Sequence, residues 1–326
     1  MKIKQVNINP FKHSDSNKRY YTYDYYLRKT FGGKCMKIPL DAGFTCPNID
    51  GRCSVGGCIY CSPRGSGDFA ADALLPVAEQ FEIIKEQLSH KWKTDKYIPY
   101  FQAHTNTYAP LDVIREKIES VMLKEGVVGM NIATRADCLE DDIVKYLASL
   151  AERTVLTVEL GLQTVHDSTA YFINRGHTFD DFLCGYEKLR SASDKINICI
   201  HLIFGLPGEN REMMLETVKR VAALRPDQVK FHLLHVIRGT RLADIYNEGN
   251  YEPLSMEEYV DTVAEALTYL PIDTVVGRLT GDGMQSELLA PDWSRKKTVV
   301  INNIDKKMFA DDLWQGKRAY TVNQKE

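Results

Sequence analysis

The sequence predicts an α/β fold, a partial (β/α)6 TIM-like barrel built on a parallel sheet. Three observations carry this expectation. Short apolar runs rich in β-branched and aromatic residues alternate with longer helical patterns along the 326 residues, the rhythm of βα units. Joining parallel strands through helices demands right-handed crossovers, which curl the sheet in one direction. Polar and glycine-rich residues cluster just after each strand, where barrels of this class carry their chemistry. Six such repeats predict a partial barrel rather than a complete eight-fold one.

The first strand spans 35–40 and ends at Asp41-Ala42-Gly43, where a glycine-rich loop begins. A helix over 76–92 follows, with Phe81, Ile84 and Leu88 on one face at helical spacing. Strands at 97–103 and 127–133 alternate with helices at 111–124 and 141–151. A fourth strand over 154–160 leads to two short helices, 166–172 and 179–191. The fifth strand, 196–204, precedes a helix at 212–224, and the sixth spans 228–236. A long helix at 256–269 then reaches an extra strand at 274–279. The strand ends read, in order, as the glycine-rich loop, Gln102-Ala-His104-Thr105-Asn106, Thr134-Arg135-Ala-Asp137, Gly161-Leu-Gln163, Gly205-Leu-Pro207-Gly208-Glu209, and Arg238-Gly239-Thr240 after His232 and His235.

The expected organisation is a basic, tyrosine-rich N-terminal extension (1–34), the barrel (35–285) and a basic C-terminal extension (286–326). Residues 1–40 carry nine Lys/Arg against two Asp/Glu, although the whole chain has a net charge of −3. Lys18, Arg19, Arg28 and Lys29 interleave with Tyr20, Tyr21, Tyr23, Tyr25 and Tyr26, cations beside stacking faces, as single-stranded nucleic acid binding requires. The competing reading is an amphipathic helix whose tyrosines cover the barrel. No apolar run is long enough to span a membrane, and the start lacks the apolar core of a secretory signal. Of eight cysteines, four crowd one loop and four are scattered (Cys35, Cys138, Cys184, Cys199), which fits a reducing compartment; a cytoplasmic location is expected.

The crowded loop is the most informative stretch. Cys46, Cys58 and Cys61 read C-x11-C-x2-C, and three thiolates can hold three irons of a cubane 4Fe–4S cluster while the fourth stays open. Cys53, lying between them, supports a structural zinc held by all four cysteines. The cysteines alone leave these readings level.

The wider sequence resembles the radical S-adenosylmethionine superfamily. Cys58-Ile-Tyr60-Cys61 looks like its cluster loop, in which the aromatic residue lies against adenine. VELGLQTVHDSTAYFINRGHT and HLIFGLPGE are similar to blocks of oxygen-independent coproporphyrinogen oxidase and the Elongator catalytic subunit. DAGFTCPN, YFQAHTNTYAPL and RLTGDG look like the YhcC/YtqA-type subfamily, which includes a tRNA enzyme.

The resemblance implies a 4Fe–4S cluster on Cys46, Cys58 and Cys61, with Cys53 a bystander, and S-adenosylmethionine as cosubstrate. Tyr60, Gln102, Thr105, Asn106, Arg135, Glu159, Gln163, Gly205 and Pro207 are then the candidates to bind it. Gln102, Thr105 and Asn106 stand where the superfamily has Gly-Gly-Glu. Arg135 and Gln163 would meet the methionine carboxylate, and the backbone at Gly205 and Pro207 the adenine. Glu159 would meet the ribose or the methionine amine, unless it forms an internal salt bridge, for instance to Arg135. His104, His232, His235, Arg238, Arg278 and Asp282 are the substrate candidates. The subfamily resemblance further implies action on tRNA, converting 5-carboxymethylaminomethyluridine at the wobble position to 5-aminomethyluridine. A one-electron donor such as flavodoxin or ferredoxin, and a downstream methyltransferase, complete the expected partners. A small-metabolite substrate, or a zinc-stabilised RNA-binding protein without radical chemistry, are the alternatives.

Overall fold

The computed structural model describes residues 9–65, 67, 69–281 and 283–319. Helix α1 (Tyr23–Phe31) opens on Thr22, whose hydroxyl accepts from the Tyr25 amide, and stops at Gly32 in the left-handed region. There follow β1 (Met36–Leu40), α2 (Val77–Ser89), β2 (Tyr97–Phe101), α3 (Leu111–Met122), β3 (Gly129–Thr134), α4 (Asp141–Ala151), β4 (Val155–Gln163), α5 (Asp167–Phe172), α6 (Phe179–Ala192) and β5 (Asn197–Phe204). Next come α7 (Arg211–Ala223), β6 (Gln228–Leu233), β7 (Val236–Ile237), α8 (Arg241–Asn247), α9 (Met256–Tyr269), β8 (Val275–Arg278), β9 (Leu288–Ala290) and α10 (Lys297–Ala310).

Seven strands form one parallel sheet in the order β1-β2-β3-β4-β5-β6-β8, a half-barrel. The extra strand expected at 274–279 therefore joins the barrel sheet as its seventh member. Burial alternates with period two along β1: Met36, Ile38 and Leu40 face the helices, whereas Lys37 faces the barrel interior. The helical layer packs against the outward faces through fully buried Phe81, Ile114, Ile118, Leu147, Phe182 and Val218. At Gly185 the backbone of α6 lies so close to the turn after β3 that an added Cβ would stand 2.1 Å from the Ala136 carbonyl oxygen.

Two strands depart from expectation. The sixth ends at Leu233 rather than 236, because Val236 and Ile237 pair antiparallel with β9 instead. The fourth runs on to Gln163, which adopts φ 75° at a register shift opposite β5.

Both terminal segments are built into the barrel. The Val276 amide donates to the Tyr21 carbonyl, Phe31 reaches Gly129, and the Lys37 ammonium lies 4.4 Å from the Tyr23 ring. Helix α1 therefore crosses the N-terminal ends of the strands and closes the base. Most cations of its segment are spoken for: Lys18 pairs with Asp305, Arg19 with Asp312, and Arg28 with Asp15 and Asp24. At the other terminus, α10 packs on α9 through fully buried Val300, Ile304 and Met308. Among the described residues, no helix is long and apolar enough to cross a membrane.

Candidate active site

The cysteine loop leaves β1 at Asp41, whose backbone is pinned by the buried Gln80 of α2. The Gln80 amide nitrogen donates to the carbonyls of Asp41 (2.7 Å) and Leu75 (2.9 Å), and its oxygen accepts from the Asp41 amide (3.0 Å). Farther along, Gly56 and Gly57 take φ of 79° and 74°, which reverses the chain just before Cys58. The segment after α5 then clamps this turn. Asn174 donates to the carbonyls of Val55 (2.9 Å) and Gly57 (2.7 Å), and the Ile59 amide donates to the Ile173 carbonyl (3.1 Å).

Donors from this frame already point at the sulfurs. Thr105 donates to Cys46 Sγ (3.1 Å), and Asn48 to Cys58 Sγ (3.2 Å). Arg175 places Nη1 4.0 Å from Cys58 Sγ while Nη2 donates to the Gly161 carbonyl (2.6 Å). A hydrogen bond from Cys61, with help from Arg175, Asn48 and Tyr60, outweighs burial and holds Cys58 well below the usual thiol range.

Cys46, Cys58 and Cys61 line one cavity of about 250 Å³. Cys53 does not line it; the thiol is exposed and lies 3.8 Å from Arg135 Nη2. A tetrahedral zinc with bonds near 2.3 Å would hold its sulfurs about 3.8 Å apart. Among the described residues, no three cysteines bring their sulfurs within 4.8 Å of one another. The wider trio fits a 4Fe–4S cluster, which spans more than a single ion and asks only three sulfurs of this loop.

The cavity floor is one polar network. Glu159 on β4 accepts from Asn131 (2.6 Å) and Tyr100 (2.8 Å), bonds His201 (2.7 Å), and pairs with Lys230 and with Lys37 (3.4 Å). Burial pushes the Glu159 carboxyl up, but the lysines and His201 outweigh it and hold the group well below the carboxylate range. Burial drives Lys230 down to about 8 and His201 to about 4, so the imidazole is neutral at physiological pH.

On the far wall the His232 ring lies 5.0 Å from that of His201, tilted by 34°, and His235 sits against Gly281 and Gly283. Among the described residues the Nε2 atoms of both His232 and His235 are buried without a partner, at a cost of about 1–3 kcal/mol each.

The structure brings together most of the residues expected from the sequence and sets others apart. Tyr60, Gln102, His104, Thr105, Arg135, Glu159, Gln163, His232, His235 and Arg278 all line the cavity with the cysteine trio. Glu159 is nevertheless occupied by five protein partners, none of them Arg135, which instead forks onto Asp137. Asn106 is withdrawn from the cavity: its amide donates to the carbonyls of Phe101, Ala103 and Ala133, tying the end of β2 to β3. Gly205 and Pro207 do not line the cavity either; the Gly205 carbonyl accepts from Tyr251 and its backbone abuts Leu254, while Ile203 provides that wall. Arg238 points outward and meets Glu287 at 3.8 Å. Asp282 lies outside the described residues.

Arg175, Tyr100, His201 and Lys230 also line the cavity. Lys230 could have been found, because it stands two residues before His232 on the same strand face.

A parallel half-barrel whose cysteine trio opens into an interior cavity defines a radical S-adenosylmethionine enzyme, and the chain belongs to that superfamily. The sequence profile of the Radical SAM superfamily matches residues 48–221, and that of the Radical_SAM C-terminal domain matches residues 226–310. Within it the chain is of the YtqA/YhcC type. It is 49% identical over 309 residues to YtqA of Bacillus subtilis, covering 95% of each chain. It is 32% identical over 286 residues to YhcC of Escherichia coli, covering 86% of this chain and 89% of that one. The tRNA uridine(34) acetyltransferase of Methanocaldococcus jannaschii shares 33% identity over 148 residues, 44% of this chain and 26% of the relative. In fold the chain is similar to the archaeal Elp3 of Methanocaldococcus infernus with an N-terminal deletion, at TM-score 0.64 and 18% identity, covering 89% of this chain and 68% of that one.

Proposed function

We propose that this radical S-adenosylmethionine enzyme acts on tRNA, converting 5-carboxymethylaminomethyluridine at the wobble position to 5-aminomethyluridine. The observation that supports the reading is the sequence shared with a tRNA uridine(34) acetyltransferase, 33% identity over 148 residues. The cysteine trio and its cavity support the radical half of the proposal.

Cys46, Cys58 and Cys61 would hold the 4Fe–4S cluster. When bound, that cluster would supply the electron for reductive cleavage of S-adenosylmethionine, the chemistry that makes an unactivated substrate C–H bond accessible. The protein's own part is placement and dryness. Thr105 and Asn48 fix two of the sulfurs, and Arg175 adds positive charge beside them. Tyr60, Ile203, Gln102 and Gln163 offer an aromatic face, an apolar wall and two amides to the cosubstrate. The α1 helix shuts the base, so the modified base would enter at the opposite end, splayed out of the RNA as single-stranded bases are when read. A flavodoxin- or ferredoxin-type donor would supply the electron, and a methyltransferase could act on the product.

The test is anaerobic incubation of reconstituted enzyme with tRNA bearing the carboxymethylaminomethyl group, S-adenosylmethionine and a reductant, followed by nucleoside mass spectrometry. Aminomethyluridine should appear with 5′-deoxyadenosine. Cosubstrate cleavage without any new nucleoside would overturn the tRNA reading and point to a small metabolite.

A further inference from the structure

Two of the three ligand sulfurs are met in the same way, by a buried polar side chain whose backbone is tied to the residue just before the cysteine. At Cys46, the Thr105 amide donates to the Thr45 carbonyl (3.3 Å) and the Thr105 hydroxyl donates to Cys46 Sγ (3.1 Å). At Cys58, the Asn48 carbonyl accepts from the Gly57 amide (2.8 Å) and Asn48 Nδ2 donates to Cys58 Sγ (3.2 Å). One backbone bond and one side-chain bond thus clasp each donor to its cysteine, so the two move together. Asn48 is fixed further, since Nδ2 also donates to the Asn174 carbonyl at 2.8 Å.

Both donors are shut away from water: Thr105 has no exposed surface and Asn48 only 1%. Neither side chain titrates, so what they give the sulfurs does not depend on pH. The other side-chain nitrogens near these two sulfurs stand farther off, His104 Nδ1 at 3.9 Å from Cys46 and Arg175 Nη1 at 4.0 Å from Cys58. A hydrogen bond to an ionised acceptor is the stronger kind, and it strengthens as the acceptor gains negative charge. Reduction adds one negative charge to an iron–sulfur cluster and its thiolates. Donors on the ligand sulfurs therefore favour the reduced state, whereas burial by itself disfavours the added charge.

We propose that Thr105 and Asn48 set the reduction potential of the cluster that Cys46, Cys58 and Cys61 would hold, raising it through their hydrogen bonds to two of the ligand sulfurs. They are positioning residues that act through the cysteines. In the step they govern, an external one-electron donor loses one electron and the cluster gains it, with no bond broken and no proton moved. The inference rests on the cluster assigned to this trio and is independent of the substrate.

A redox titration of the anaerobically reconstituted full chain, followed by electron paramagnetic resonance without S-adenosylmethionine or tRNA, tests this. Thr105→Val keeps the side-chain shape and removes the hydroxyl. It should retain iron and sulfide and weaken the reduction equilibrium about tenfold, a shift of about 59 mV to more negative potential for one electron. Thr105→Ser should restore the wild-type value. Asn48→Ala makes the same test at Cys58, and it serves if Thr105→Val does not hold a full cluster. An unchanged potential in either loaded variant would overturn the proposal. So would equal shifts in Thr105→Val and Thr105→Ser, which would assign the effect to packing. Loss of iron from both Thr105→Val and Asn48→Ala in folded protein would mean that the pair only holds the loop, and would overturn it too. A wild-type chain that takes up no cluster defeats the assignment of the trio, whereas a cluster whose potential ignores both donors defeats only this inference.

Discussion

Lys230 on β6 pairs with Glu159 on β4 in the middle of the barrel, where the carboxylate side chain has no exposed surface and the lysine only 5%. Three further donors and Lys37 converge on the same two oxygens. The pair therefore fastens strands that are far apart in sequence.

Glu159→Gln should be costly. It strands two lysine charges that share one counterion, and breaking a buried ion pair from one side typically costs about 3–5 kcal/mol. Urea denaturation of the anaerobic protein should show a lower midpoint with an unchanged slope. A loss below about 1 kcal/mol would mean that water reaches the network.

The cysteines should divide into a trio and an outsider. Cys53→Ala should retain iron, sulfide and the brown absorbance, because Cys53 faces Arg135 and not the cavity. Cys58→Ala should abolish all three. Equal loss from both substitutions would require a four-sulfur site.

Acid should unfold the barrel early. Burial holds His201, His235 and His177 at about 4 in the folded chain, whereas an unfolded imidazole takes its proton near pH 6.5. The unfolded state thus binds more protons between those values, and the histidine contribution to stability rises with pH across that window and levels off above it. Glu159, held low by its lysines, acts in the same direction below about pH 4.5: its contribution is present above the unfolded carboxylate value and fades as it protonates. Urea midpoints measured from pH 7.5 to 5 should fall with acid, and His235→Gln should flatten the slope.

Gly185→Ala should push α6 off the turn after β3. Its Cβ would meet the Ala136 carbonyl at 2.1 Å, a backbone atom that cannot rotate away. Overpacking of this kind costs about 1–3 kcal/mol. Thermal melts should show the loss, and Gly208→Ala, whose Cβ would meet nothing within 4 Å, separates crowding from the strain of a positive φ.

Local patterns were legible in the sequence where one segment decides its own fate. Helices α4 and α9 lie where the apolar spacing puts them, and α9 begins at Ser255 with a capping box to Glu258. Tertiary partners decided the remainder. The sixth strand stops early because β9, some fifty residues later, takes over Val236 and Ile237. Strand order told which residues stand at the mouth but not which way each one turns, hence Asn106 spends its amide on three carbonyls and Arg238 leaves for the surface. Glu159 draws its partners from five other strands, a convergence that no single window of sequence contains.

The helix laid over the strand bases turns the half-barrel into a blind chamber. Reagents, spent cosubstrate and finished product are then left to pass where the strands finish rather than where they begin. A long polymer arriving there would have to offer a single extruded residue and keep its bulk outside, acting as a cork while the chemistry proceeds behind it.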